Sequence, residues 1–66
     1  MKNVTVSTKK VNAGHYEVSV SNGETEVKFT ETDMTVIDAL NDEDGNGFYT
    51  QYEASNLLIT KSGIEQ

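Results

Sequence analysis

The chain has no cysteine, no proline and no arginine, and it has one histidine. Without cysteine there are no disulfides and no thiolate zinc site, and a reducing compartment is the natural expectation. A single histidine, His15, excludes a site built from several imidazoles. Five lysines stand against eleven acids, for a formal net charge of −6. Nucleic-acid binding draws on a basic patch that displaces phosphate counterions, and no such patch exists. The same deficit of positive charge disfavours an anionic membrane surface. No apolar run approaches the length of a membrane span or of a secretory leader. A cytoplasmic location is expected, and the initial methionine is read as the start of a complete small frame. The plausible partners are cations or basic protein surfaces.

At 66 residues the chain is one domain, residues 1–66. A domain of about 60 residues buries only about 60% of the surface its unfolded chain exposes, so it gains from a metal, a partner or self-association.

The first half alternates apolar and polar residues, the mark of half-buried strands. Val4 and Val6 share one face, as do Tyr16, Val18 and Val20, and then Val27 and Phe29. Asn22-Gly23 predicts a two-residue type I′ turn. That turn would set Ser21 opposite Glu24, Val18 opposite Val27, Tyr16 opposite Phe29 and Glu17 opposite Lys28. Asn12-Ala13-Gly14 is read as a three-residue loop, with Val6 opposite Val20 and Thr8 opposite Val18. A three-stranded antiparallel sheet with one apolar face needs a cover.

The second half supplies it. Thr35-Val36-Ile37-Asp38 reads as a capping box for a short helix, with Thr32 as the alternative cap. Met34, Ile37 and Leu40 would line its buried side. Thr50-Gln51-Tyr52-Glu53 is a second capping box, opening a helix that ends at Gly63, with Ala54, Leu57, Leu58 and Lys61 sharing one face. A strand competes there, because Phe48, Thr50 and Tyr52 alternate. The tail Ile64-Glu65-Gln66 is expected to fray. The fold class is therefore α+β: three antiparallel strands, then one or two short helices on one face.

Between the helical segments lies DEDGNGFYTQYE, Asp42 to Glu53. Asp42, Asp44 and Asn46 offer side-chain oxygens, Phe48 a backbone carbonyl, and Thr50 a hydroxyl. Glu53 would close the shell with two carboxylate oxygens, and Gly47 permits the turn. Tyr49 stands where an apolar residue anchors such a loop. Over these twelve residues the chain resembles an EF-hand calcium loop, and calcium is the cofactor that the resemblance implies. Outside them the match weakens: Asn41 and Asp38 occupy places where an entering helix carries large apolar residues, no second loop exists, and three strands precede.

No catalytic constellation appears. His15 has only the polar strand face of Ser19 and Ser21 beside it, and no paired carboxylates or phosphate cradle occur. The chain is expected not to be an enzyme. Asp42, Glu43, Asp44, Tyr49 and Tyr52 form a candidate partner-binding patch, since aromatics anchor interfaces and acids steer basic partners. Of Phe48, Tyr49 and Tyr52, at least one ring is expected in the core and at least one outside.

In size and acidity the chain resembles small phage- or mobile-element-encoded proteins that disable host machinery or defences. That resemblance implies an inhibitor that masks a larger host protein, such as a basic nucleic-acid-handling protein, without touching nucleic acid or membrane. The alternative is a calcium-binding module with a single EF-hand-like loop. A homodimer is also expected, through a strand edge or through Leu57-Leu58-Ile59, because so small a core leaves apolar surface uncovered.

Overall fold

Asn22 decides the shape of the central hairpin. Its side-chain Oδ1 accepts from the backbone N–H of Glu24 at 2.9 Å and of Thr25 at 2.8 Å, and its own N–H donates to the Thr25 carbonyl at 3.1 Å. The chain therefore reverses over four residues, Asn22 to Thr25, with only Gly23 at positive φ. A type I′ turn would need Asn22 there as well. In a computed structural model describing residues 3–64, the strands on either side are β2 (His15–Ser21) and β3 (Glu26–Glu31). Ser21 pairs with Glu26, Val20 with Val27, Val18 with Phe29, Glu17 with Thr30 and Tyr16 with Glu31. This corrects the expected register, in which Ser21 met Glu24, Val18 met Val27, Tyr16 met Phe29 and Glu17 met Lys28. The slip is two residues, and strand side chains repeat every two. Val18, Val20, Val27 and Phe29 thus keep the inward face, and only their partners change.

The first hairpin has the expected pairing. Strand β1 (Thr5–Asn12) sets Val6 opposite Val20 and Thr8 opposite Val18. Its turn is tighter than the three-residue loop: Asn12 pairs with His15, leaving Ala13 and Gly14 between them, with Gly14 at φ 75°. A register shift between Lys10 and Asn12 leaves Val11 as the extra residue, exposed beside the turn. The sheet order is β1-β2-β3.

Helix α1 (Met34–Leu40) is capped by Asp33, whose Oδ1 accepts from the Thr35 N–H, so neither Thr35 nor Thr32 is the cap. It buries Val36, Ile37 and Ala39, with Met34 and Leu40 packed at the margin. Helix α2 (Gln51–Ser62) opens on the expected Thr50–Glu53 capping box and closes on Gly63 at φ 78°. The helix prevails over the alternating strand pattern because both ends are capped and its apolar face finds the sheet. That face is Ala54, Leu58 and Ile59; Leu57 is 37% exposed and Lys61 lies at the surface, which corrects the expected set. Leu58 and Ile59 are therefore closed to a second chain.

α2 contacts all three strands and α1. The core runs from Val18 and Val20 at the centre of the sheet to Ile37, Ala54 and Leu58 in the helices. Each fully buried branched side chain there contributes about 1.5–3 kcal/mol relative to exposure. Ile64, expected to fray, belongs to this core, and its N–H donates to the Ser62 hydroxyl. Glu65 and Gln66, the rest of the expected frayed tail, lie outside the described residues. Among the described residues, no helix is long and apolar enough to cross a membrane.

The inward alternation of β3 ends on a charged residue. Glu31, 6% exposed, accepts from the Thr32 and Asp33 N–H groups through Oε2 and from the Lys61 ammonium through Oε1. Burial by itself resists its ionisation, but the Lys61 hydrogen bond, the Asp33 N–H, the Lys61 charge and the Thr32 N–H together prevail. They hold its carboxyl below the ordinary value. This contact fastens the end of α2 to the point where the sheet gives way to α1.

Candidate interaction surface

The segment between the helices is built on side chains that bond back to its own backbone. Asp42 Oδ1 accepts from the Asp44 N–H at 3.0 Å, and the Gly45 N–H donates to the Asp42 carbonyl at 3.0 Å. Asn46 is the hub. Its Oδ1 accepts from Phe48 N–H at 3.1 Å and Tyr49 N–H at 3.0 Å, its Nδ2 donates to the Thr35 carbonyl at 2.6 Å, and its own N–H donates to the Tyr49 carbonyl at 3.2 Å. The bond to Thr35 ties the loop to the first turn of α1. Gln51 makes a second tie, its Nε2 donating to the Leu40 carbonyl at 2.9 Å. Gly45 is buried at φ 74°, and a Cβ there would collide with the Tyr49 carbonyl oxygen. Only glycine tolerates both demands.

This bracket sorts the aromatic rings. Tyr49 is half-buried and packs against the core, while Phe48 is 80% exposed and Tyr52 76% exposed. The mixture of inner and outer rings is as expected, but Tyr49, counted in the partner-binding patch, is largely the loop's anchor. Phe48 takes its place outside. Asp42, Glu43 and Asp44 are all exposed at the tip. Among the described residues, the end of the molecule carrying this loop presents acids and aromatic rings together.

The calcium-loop spelling meets a different geometry. Glu53 Oε1 accepts from the Thr50 N–H at 2.9 Å, and Thr50 Oγ1 accepts from the Glu53 N–H at 3.0 Å. Asn46 Oδ1 is turned onto two backbone N–H groups. A bidentate Glu53 would have to open half of the capping box, and Asn46 would have to release the loop. Among the described residues, no three His, Cys, Asp or Glu side chains gather closely enough to hold a metal ion. Of the six candidate ligands Asp42, Asp44, Asn46, Phe48, Thr50 and Glu53, the three carboxylates form no such cluster, and Asn46, Thr50 and Glu53 each turn a side-chain oxygen onto a backbone N–H.

His15 sits exposed at the β1–β2 turn, its Nδ1 3.3 Å from the Ala13 carbonyl. Among the described residues, no buried side-chain polar atom lacks a partner. A groove of about 550 Å³ runs beside β1, between Val6, Ser7 and Thr8 on the sheet and Leu40, Asn41 and Tyr52 on the helical side. No family model matches the chain, and no curated protein or solved structure matches it either.

Proposed function

We propose that the chain is a non-enzymatic acidic interaction module that acts in the cytoplasm by docking on a larger, basic protein and masking it, in the manner of small inhibitors carried by phages and mobile elements. The observation that carries this reading is the exposure of Phe48, held outward by the Asn46 bracket next to Asp42, Glu43 and Asp44. An outward phenyl ring on a rigid loop loses little conformational freedom on docking, and a flanking set of carboxylates attracts lysines and arginines and speeds encounter. A net charge of −6 directs the same preference over longer range. A nucleic-acid-handling protein is the target of matching chemistry, because its lysines and arginines are already arranged to meet anions.

The test is capture from a host lysate by the immobilised chain, with and without a competing polyanion such as heparin. Phe48→Ala should weaken capture of the specific partner by roughly 30-fold, the loss of an interface anchor worth about 2 kcal/mol. Its melting temperature should stay nearly unchanged, because Phe48 is largely exposed and outside the core. Replacing Asp42, Glu43 and Asp44 by amides should weaken capture further and reduce its salt dependence. Capture that is indifferent to Phe48→Ala and to heparin refutes the docking face.

A further inference from the structure

The outer face of α2 carries a stripe that the core does not use. Glu53, Asn56, Leu57 and Thr60 recur at helical spacing, opposite the Ala54, Leu58 and Ile59 side that packs on the sheet. Together with Tyr49 they line a cleft of about 300 Å³, more apolar than polar. Leu57 and the half-buried Tyr49 supply its apolar walls, and Glu53 is the one charged residue in its lining. The Glu53 Oε1 accepts from the Thr50 N–H, which leaves Oε2 for another donor. Lys61, the one cation on α2, is drawn to Glu31 instead. The acidic turn adjoins the Tyr49 end of the cleft: a Cβ on Gly45 would meet the Tyr49 carbonyl oxygen and the Thr50 Cα, and Asp44 is the next residue in the chain. We propose that this cleft takes one arginine side chain of the basic partner, its stem on Leu57 and Tyr49 and its guanidinium on Glu53. The inference rests on the docking proposed above and names the residue type received beside Phe48.

The lining selects the occupant by charge. A purely apolar side chain would cover the Glu53 carboxylate without pairing it, at a desolvation cost. An anion meets repulsion from Glu53 and from the acidic turn. A small hydrated cation would leave the apolar walls uncovered. A long apolar stem that ends in a cation satisfies walls and carboxylate together. Arginine suits the cleft better than lysine, because its guanidinium is more weakly hydrated, stacks on aromatic rings and carries five N–H donors. Asn56 and Thr60 each bring a side-chain oxygen to the lining, and neither side chain makes a hydrogen bond among the described residues. They can accept the N–H groups that Glu53 does not. The volume sits at the low end of the about 300–1,000 Å³ of small-molecule pockets, which matches one side chain and not a cofactor.

The probe is an acetylated, amidated Gly-Arg-Gly tripeptide, titrated into the isotope-labelled chain and followed by amide chemical shifts. The shifts should centre on Glu53, Asn56, Leu57 and Thr60 and should saturate. Twin peptides with lysine or leucine at the centre should bind roughly threefold or more weakly. Glu53→Gln keeps the capping box, which accepts glutamine, and should weaken the arginine peptide roughly tenfold. Thr60→Lys, at an exposed position, supplies a cation in place and should abolish binding with the fold retained. Phe48→Ala should leave the tripeptide affinity unchanged, so the cleft is read separately from the docking face. Capture of a partner that persists while the tripeptide shifts nothing overturns the cleft and leaves the docking face standing. Tripeptide binding with no captured partner supports the cleft and overturns the docking. Shifts centred on Asp42–Asp44, an affinity indifferent to Glu53→Gln, or equal binding of the lysine or leucine twin overturn the assignment. Shifts at the same residues on raising the protein concentration alone would put a second copy in the cleft and overturn it as well.

Discussion

Glu31→Ala removes the one buried charge in the molecule's described residues, and its cost can be worked from its contacts. The carboxylate accepts three hydrogen bonds, from Thr32 and Asp33 N–H at 3.1 Å each and from the Lys61 ammonium. Hydrogen bonds to a charged group are each worth about 1.5–3 kcal/mol. Lys61 is half exposed and Thr32 and Asp33 lie at the surface, so water recovers much of what they lose. The expected net loss is about 2 kcal/mol, well under the about 3–5 kcal/mol for breaking a fully enclosed pair. For a domain of this size each kcal/mol is about 4–8 °C in melting temperature, so Glu31→Ala should melt about 10 °C or more below the parent. Lys61→Ala should cost about half as much, because the two backbone donors stay with the carboxylate.

The pH dependence has a definite sign. The folded-state value is lowered, so the unfolded chain binds the proton more readily. The stabilisation is fully present above the ordinary glutamate value of 4.5 and is lost as pH falls through the lower folded value. Thermal melts followed by circular dichroism from neutral pH down through that window should show the parent losing its advantage over Glu31→Gln. A Lys61→Ala variant less stable than Glu31→Ala, or a parent–Gln difference that persists in acid, would refute the account of Glu31 as an ionised clasp.

Asn46→Ala removes three hydrogen bonds that position the loop on α1, and should destabilise by about 2–3 kcal/mol in chemical denaturation; an effect as small as that of Asp44→Ala would show that the loop is held by something else. Gly45→Ala should cost more than about 1 kcal/mol, since it meets both the Tyr49 carbonyl and a left-handed backbone, whereas Gly47→Ala, with open space around it, should cost only the backbone strain. Melting in millimolar calcium against EDTA should give superimposable curves, because closing a shell on Glu53 and Asn46 must undo their bonds to Thr50, Phe48 and Tyr49; a rise of several degrees would show that the loop reorganises around the ion.

Period-2 alternation assigned every strand and its inward face, because the face depends only on parity. The capping box at Thr50 and the glycine at Gly63 likewise marked α2 from residues close together in the chain. The charge and the missing cysteines bounded the chemistry, and those are properties of composition. The tertiary structure decided what depends on competition between distant or alternative contacts. Asn22 chose to hold Glu24 and Thr25 rather than enter a left-handed turn, and so moved the β2–β3 register by two residues while leaving the faces intact. Asp33 won the cap of α1 over two threonines. Glu31 became a clasp only because α2 carries Lys61 back across the sheet, thirty residues later in the chain. The letters from Asp42 to Glu53 spell a set of ligands, but Asp42, Asn46, Thr50 and Glu53 each turn an oxygen onto a nearby backbone N–H. Which use prevails is set by how α1 and α2 pack, with Asn46 reaching Thr35 and Gln51 reaching Leu40.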